Sequence, residues 1–302
     1  MIVLRIDDRR YPSLLAHSPQ SPAYLWLQGD PALLSRTAVA VVGSRAATQL
    51  GLRMAEEIGA GLAREGVVVV SGCARGIDAA AHRAALAVGG VTVGVLAGGL
   101  DVGAPPSNRG LAARIASEGC LVSEHPAGVA PLPYLFPLRN RIIAGLARVT
   151  VVVEAARKSG ALSTAHHANM AGREVLAVPG HPLLHNSGGV NGLLRDGARP
   201  ATSVEDVIEV LVGLPPLEDL PPWSPGLGPA DEEPAEPGTP LGRRLLVALG
   251  RMPQPAETLA AMVDAPLPAV LATLTELELL GAIRTYPGQR FGRVVMKRAA
   301  AG

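Results

Sequence analysis

The run Val67-Val68-Val69-Val70 passes without a break into Ser71-Gly72-Cys73-Ala74-Arg75-Gly76-Ile77-Asp78 and then into an alanine-rich stretch ending at Ala87. Four β-branched residues bounded by Gly66 and Gly72 suit a strand buried on both faces, and the alanines suit a helix packed close against it. A strand that enters a helix through a glycine loop aims backbone N–H groups and a helix N-terminus at one point. The natural ligand of such a loop is an anion, above all a phosphate. Arg75 adds a positive charge there, and Asp78 reads as the N-cap of the helix and not as an acid catalyst.

The same unit recurs along the chain. Thr37 to Val42 is an apolar, β-branched strand ending in Gly43-Ser44-Arg45, and Leu50, Met54, Ile58 and Leu62 follow at helical spacing. The dinucleotide fingerprint needs three glycines in the order G-x-G-x-x-G, whereas Ser44, Arg45 and Ala46 follow Gly43 here, so no nicotinamide cofactor is expected. Further strands are expected over Val91–Leu96, Cys120–Ser123, Thr150–Val153 and Glu174–Val178, with helices over Ser107–Glu118, after Pro137, from Ser159 and over Val190–Arg195. Hydrophobic residues make up 48% of the chain but aromatics only 3%, so the core is built of Ala, Val and Leu, as in parallel sheets with helices on both faces. This α/β unit spans 37–212. Residues 1–36 form a turn-rich lead-in that caps it.

From 213 to 240 the composition changes to proline, glycine and acid, which predicts a flexible linker. Beyond it, 241–298 form a separate small unit. Helices are expected over Leu241–Leu249, Glu257–Val263 and Leu267–Leu280, followed by a hairpin of Ile283–Tyr286 and Arg293–Met296. Three helices and a hairpin outline a winged helix. Its third helix carries Glu276 and Glu278 and hardly any base, which favours a protein-contact or accessory role over reading duplex DNA.

A net charge of +1 excludes a protein that coats nucleic acid over its whole surface, so any such site is a local patch. The best candidate is Phe136-Pro137-Leu138-Arg139-Asn140-Arg141, which puts two arginines in the expected first turn of a helix. The dipole disfavours cations there, which implies an anionic partner. Lys158-Ser159-Gly160-Ala161-Leu162-Ser163-Thr164 opens another helix with small residues and hydroxyls, again a cradle for a phosphate or ribose. Glu154 stands at the carboxyl end of its strand. Leu193, Leu194, Val207, Ile208 and Leu211 form a late apolar surface, either core or a dimer face. Cys73 and Cys120 make neither a metal set nor a disulfide framework, and His125 has no partner at metal spacing, so no metal is expected. No apolar run reaches a membrane span and no secretion signal opens the chain, which points to the cytoplasm.

Taken in order, these motifs resemble the DprA (Smf) family of DNA-processing proteins of bacterial natural transformation. The resemblance rests on Gly43-Ser44-Arg45, on Ser71-Gly72-x-Ala74-x-Gly76-Ile77-Asp78 with Ala81-His82, and on Phe136-Pro137-x-Arg139-Asn140-Arg141-Ile142-Ile143. It continues through Glu154-Ala155, Ser159 to Ala165, Gly172-Arg173-Glu174-Val175, Val178-Pro179-Gly180 and Asn191-x-Leu193-Leu194-x-x-Gly197-Ala198.

The resemblance implies an extended Rossmann-like domain that binds single-stranded DNA in a basic pocket, forms a homodimer and helps load the RecA recombinase onto incoming DNA, without catalysis or cofactor. It places DNA contacts on Ser44, Arg45, Gly72, Arg75, Gly76, Phe136, Arg139, Asn140, Arg141, Ser159, Gly160, Thr164 and Arg173, and suggests Leu193, Leu194, Val207 and Leu211 for the dimer. Some members carry a helical domain before the core, for which the short lead-in here leaves no room. The competing reading is a Rossmann-like nucleotide hydrolase using Glu154 or Asp78. The glycine-glycine-x-glycine-threonine loop of such enzymes is not found, the nearest stretch being Gly98-Gly99-Leu100-Asp101, and neither a P-loop nor a nucleophile triad is present. A third, a duplex-specific transcription factor, would act through 241–298.

Overall fold

The computed structural model describes residues 1–215, 240–249, 254–279, 283–286 and 290–293. The chain divides into two units, Met1–Pro225 and Gly226–Gly302. In the first, β1 (Ile2–Arg5), α1 (Ser13–Ala16) and β2 (Tyr24–Gly29) lead into β3 (Ala38–Val42) and α2 (Gln49–Arg64). Next come β4 (Val68–Ser71), α3 (Ile77–Ala87), β5 (Thr92–Leu96), α4 (Arg109–Glu118) and β6 (Cys120–Ser123). Then follow α5 (Leu135–Leu146), β7 (Val149–Val152), α6 (Ala161–Met170), β8 (Glu174–Ala177), α7 (Val190–Arg195), β9 (Arg199–Pro200) and α8 (Val204–Val212).

Nine strands form one sheet in the order β1-β2-β6-β5-β4-β3-β7-β8-β9. From β6 to β9 every pairing is parallel. The lead-in is therefore not a cap. The apolar piece Tyr24 to Leu27 belongs to β2, which pairs antiparallel with β6 (Trp26 opposite Ser123), and β1 closes that edge by pairing with β2.

The alternation of β3 shows how the layers form. Ala38, Ala40 and Val42 join a core with Ile142, Ile143 and Leu146 of α5 and Ala165 and Ala168 of α6. Val39 and Val41 point the other way, into a core with Ala55, Ile58 and Leu62 of α2 and Ile77, Ala81 and Ala85 of α3. Each fully buried Val, Leu or Ile contributes about 1.5–3 kcal/mol, and both faces of the sheet draw on it. Thr48 caps α2 by accepting from the Gly51 N–H (3.0 Å), and Ser203 and Asp206 form a capping box at α8.

The late apolar residues do not make one surface. Leu193 and Leu194 pack against the first core, while Val207 (0% exposed) and Leu211 (7%) are buried in the second, with Ile208 packed beside them. The sheet separates them, because the short β9 carries the chain across its edge between α7 and α8.

From β3 the chain proceeds through β4, β5 and β6 in one direction; it then returns to β7, on the other side of β3, and proceeds through β8 and β9 in the opposite direction. The loops leaving β3 and β7 diverge, so a crevice opens between their carboxyl ends. In open α/β sheets this switch point is where ligands bind.

In the second unit α9 (Pro240–Ala248), α10 (Ala256–Met262) and α11 (Leu267–Leu279) share a core of Leu245, Leu259, Val270, Leu274 and Leu277. A three-stranded sheet, β10 (Gln254–Pro255), β11 (Ile283–Tyr286) and β12 (Arg290–Arg293), completes the winged helix. The second hairpin strand comes earlier than expected, at Arg290–Arg293. Most of the expected linker, 216–239, and the stretch 294–298 lie outside the described residues. Among those described, no single helix is long and apolar enough to cross a membrane.

Candidate nucleic-acid interface

A cleft of about 930 Å³ lies at the switch point. Its walls are Val42 to Ala46 after β3, Ala74 and Asp78 after β4, one face of α5, the segment Ala156 to Ala161 after β7 with Thr164, and Pro182 to Asn186 after β8. The lining carries Arg45, Arg139, Arg157 and Lys158 against the single carboxylate of Asp78, so the cleft is cationic in a chain that is nearly neutral overall.

At the mouth, the exposed guanidinium of Arg45 lies over the Phe136 ring, 4.5 Å from its centroid. The Ser44-Arg45 turn is fixed from below: the Ile77 N–H donates to Ser44 O (3.2 Å), and Ser44 Oγ accepts from the Ala46 N–H (3.2 Å). Gly76, with φ +77°, makes this possible. A Cβ there would stand 2.2 Å from Ser44 O, so only glycine lets α3 begin against that turn. On the facing side α6 begins at the cleft, with Ser159, Gly160 and Ala161 at its end and the exposed Arg157 and Lys158 just before it. Backbone N–H groups, a helix N-terminus and exposed cations thus converge.

The floor is built differently. The arginine motif does not fall in a first turn: α5 begins at Leu135, Pro137 sits in the first turn, where its missing N–H costs nothing, and Arg139 and Arg141 follow one turn later. Two residues apart on a helix, they face different ways. Phe136, Arg139, Asn140 and Ile143 share the cleft face. Arg139 is only 5% exposed; one nitrogen donates to Gly72 O (2.7 Å) and to Val95 O, while its Nε has no partner. Burial lowers its pKa, and the nearby Asp78 carboxylate opposes that shift. Asp78 is the second residue of α3 and not its N-cap, a position taken by Gly76. Its Oδ2 accepts from the Ala74 N–H (3.3 Å), and burial raises its pKa against the pull of Arg139. A Cβ on Gly72 would meet Arg139 Nη2 at 2.6 Å and Asp78 Oδ2 at 2.7 Å, which is why the loop needs glycine there. Asn140 donates to Gly160 O (3.1 Å), tying α5 to the start of α6, and the buried Thr164 hydroxyl has no partner.

Five of the expected contacts do not line the cleft. Arg141 is ion-paired with Glu124 (2.5 Å) outside the cleft. Arg173 donates to Leu14 O (3.0 Å) beside a separate small hollow with Glu174 and Asp196. Arg75 is exposed but does not line the cleft, and Gly72 and Gly76 shape it from behind. Conversely Arg157, Leu183, Leu184 and His185 line it without having been singled out. For Arg157 the signal was present: a basic residue beside Lys158 in the loop that leads from the carboxyl end of β7 to α6.

Glu154 is committed to structure. Its carboxylate accepts from the Thr48 N–H (3.0 Å) and the Thr48 hydroxyl, and from Asn186 Nδ2 (3.3 Å), which also donates to Ala46 O (2.8 Å). Behind the glycine loop runs a buried polar chain. The Thr92 hydroxyl donates to Val69 O (2.5 Å), so it accepts from His82 Nδ1 (2.6 Å); His82 therefore carries its proton on Nδ1 and leaves Nε2 bare toward the Cys73 thiol (3.7 Å). Burial pushes the His82 pKa down to about 3 and the Cys73 thiol up to about 12. Asn108 closes the loop by donating to the carbonyls of Cys73 and Ala74, both at 3.0 Å.

The profile of the DNA recombination-mediator protein A family matches residues 2–212, and that of the DprA winged helix domain matches 229–289. The chain is similar to Protein Smf of Escherichia coli (strain K12), with 41% identity over 295 residues, 97% of this chain and 77% of that protein. The X-ray structure of DNA processing protein A (DprA) from Streptococcus pneumoniae superimposes with a TM-score of 0.67 and 43% identity, over 69% of this chain and 73% of that one. DNA processing protein A from Helicobacter pylori, whose structure concerns its unique single-stranded DNA binding mode, gives a TM-score of 0.63 and 28% identity, over 70% of this chain and 95% of that one.

Proposed function

The chain belongs to the DNA recombination-mediator protein A family, and on that premise we propose that its switch-point cleft binds the backbone of an unpaired DNA strand. The observation that carries this reading is the composition of the cleft: Arg45, Arg157 and Lys158 line it together with the N-terminus of α6, on a protein of net charge +1. Phosphate contacts fall on Ser44, Arg45, Arg157, Lys158, Ser159 and Gly160. Phe136 offers its ring to one base, and Arg139, Asn140 and Thr164 form the polar floor. The scarcity of aromatics elsewhere means that affinity comes mainly from phosphates.

In the cell this protein would act in the cytoplasm as a homodimer that protects incoming single-stranded DNA and loads the RecA recombinase onto it during natural transformation. We assign DNA binding to 37–212, a linker role to 213–240, and a protein-contact or accessory role to the winged helix at 241–298. The hydrolase reading is weakened by Glu154, whose two oxygens are both taken up by Thr48 and Asn186. The test is a competition of single-stranded against duplex oligonucleotides for the full chain, with nucleoside monophosphates incubated in parallel. Preference for the single strand and no release of free base support the proposal; equal affinity for both, or base release, contradicts it.

A further inference from the structure

Resting on the reading of the cleft as a single-strand site, we propose that Leu183 and Leu184 form an apolar lip that packs against exposed base faces and so separates unpaired from duplex DNA. Leu183 is 88% exposed and Leu184 46%, and with Pro182 they make an apolar edge on a cleft that Phe136 and Pro137 also line. Scattered exposed leucines are ordinary; consecutive ones on the rim of a cationic cleft call for an occupant.

The loop that carries them is held firmly. The Leu184 N–H donates to His181 O (3.0 Å), the Leu183 N–H to His181 Nδ1 (3.3 Å) and the Ser187 N–H to Leu184 O (3.0 Å). Asn186 anchors the end of the loop through Ala46 O (2.8 Å) and the Ala155 N–H (2.8 Å). The leucines are thus presented to solvent by a fixed backbone, and little ordering is left for the moment of binding. The occupant must combine apolar faces with anionic groups, because the same cleft carries Arg45, Arg157 and Lys158. An unpaired strand does so, base by base. A duplex has the same phosphates but keeps its base faces stacked inside, so it meets the cations and not the lip.

The test measures binding of the full chain to three labelled oligonucleotides: an intact single strand, the same strand with abasic sites throughout, and a duplex. The Leu183→Ser/Leu184→Ser variant is expected to lose about tenfold in affinity for the intact strand, within the range of one lost base contact, with an unchanged salt slope and unchanged affinity for the abasic strand and the duplex. Leu183→Tyr is expected to tighten binding of the intact strand only. Wild-type affinity for the intact strand in the serine variant, or an equal loss on intact and abasic strands, overturns the lip. Failure of the wild-type protein to bind the intact strand in a salt-dependent way overturns the reading of the cleft, and the lip with it.

Discussion

The guanidinium of Arg45 rests on the ring of Phe136, 4.5 Å from its centroid, the first residue coming from the turn after β3 and the second from the first turn of α5. One supplies a charge and the other a face, so their removal has different signatures. Arg45→Ala is expected to weaken single-strand binding and to flatten the plot of log affinity against log salt by about 0.7, the loss of one phosphate contact. Phe136→Ala is expected to weaken binding by about 1–3 kcal/mol with the slope unchanged, since a stacked base releases no counterion. Fluorescence anisotropy across a salt series checks both.

Arg139 acts from inside the protein. Replacing it with alanine strips Gly72 O and Val95 O of their donor and leaves Asp78 buried without its cation. The expected cost is about 3–5 kcal/mol of stability. Urea unfolding measures it, and Asp78→Asn combined with Arg139→Met should recover a large part, because no charge is then left buried.

Gly76→Ala is expected to damage the site through its scaffold. The new Cβ would stand 2.2 Å from Ser44 O in a backbone conformation with φ +77°. Conformational strain alone costs about 1–3 kcal/mol, and relief of the clash must move the Ser44-Arg45 turn. Both the midpoint of unfolding and the affinity for single strands should fall, whereas Gly110→Ala, in α4 where a Cβ meets nothing within 4 Å, should lower neither.

The buried His82 predicts a pH dependence with a definite sign. Its pKa is lowered to about 3 in the folded protein, against about 6.5 in the unfolded chain. Between these values the unfolded chain binds the proton and the folded one does not, so stability falls as the pH drops from about 6.5 toward about 3. Urea midpoints across that range should show the loss, and His82→Gln should reduce its slope.

The parts of the fold that the sequence revealed are those where burial on both faces leaves an unbroken apolar run, as in Val67 to Val70 and Thr37 to Val42. The edge strands were hidden, since Tyr24 to Leu27 looks like an isolated apolar piece until β6 pairs with it. At the site, the glycine loops and Arg45 were legible because turns at strand ends have a local chemistry. Arg141 was misplaced because a motif read as a string ignores that its residues wind around a helix, which turns it toward Glu124. Arg173 came with the motif Gly172-Arg173-Glu174-Val175, and its guanidinium turns to Leu14 O instead. Leu183 and Leu184 gave no sign at all: two leucines in a row read the same whether they fill a core or stand in water.

The central claim is that the switch-point cations gather the phosphates of an unpaired strand, and its most direct test is the salt dependence of single-strand binding in the wild-type chain and in Arg45→Ala/Lys158→Ala. With about 4 phosphates neutralised, the wild-type slope is expected near about −3, and the double variant should bind weakly with a slope nearer about −1.5. Identical affinity and slope in the two proteins would contradict the account.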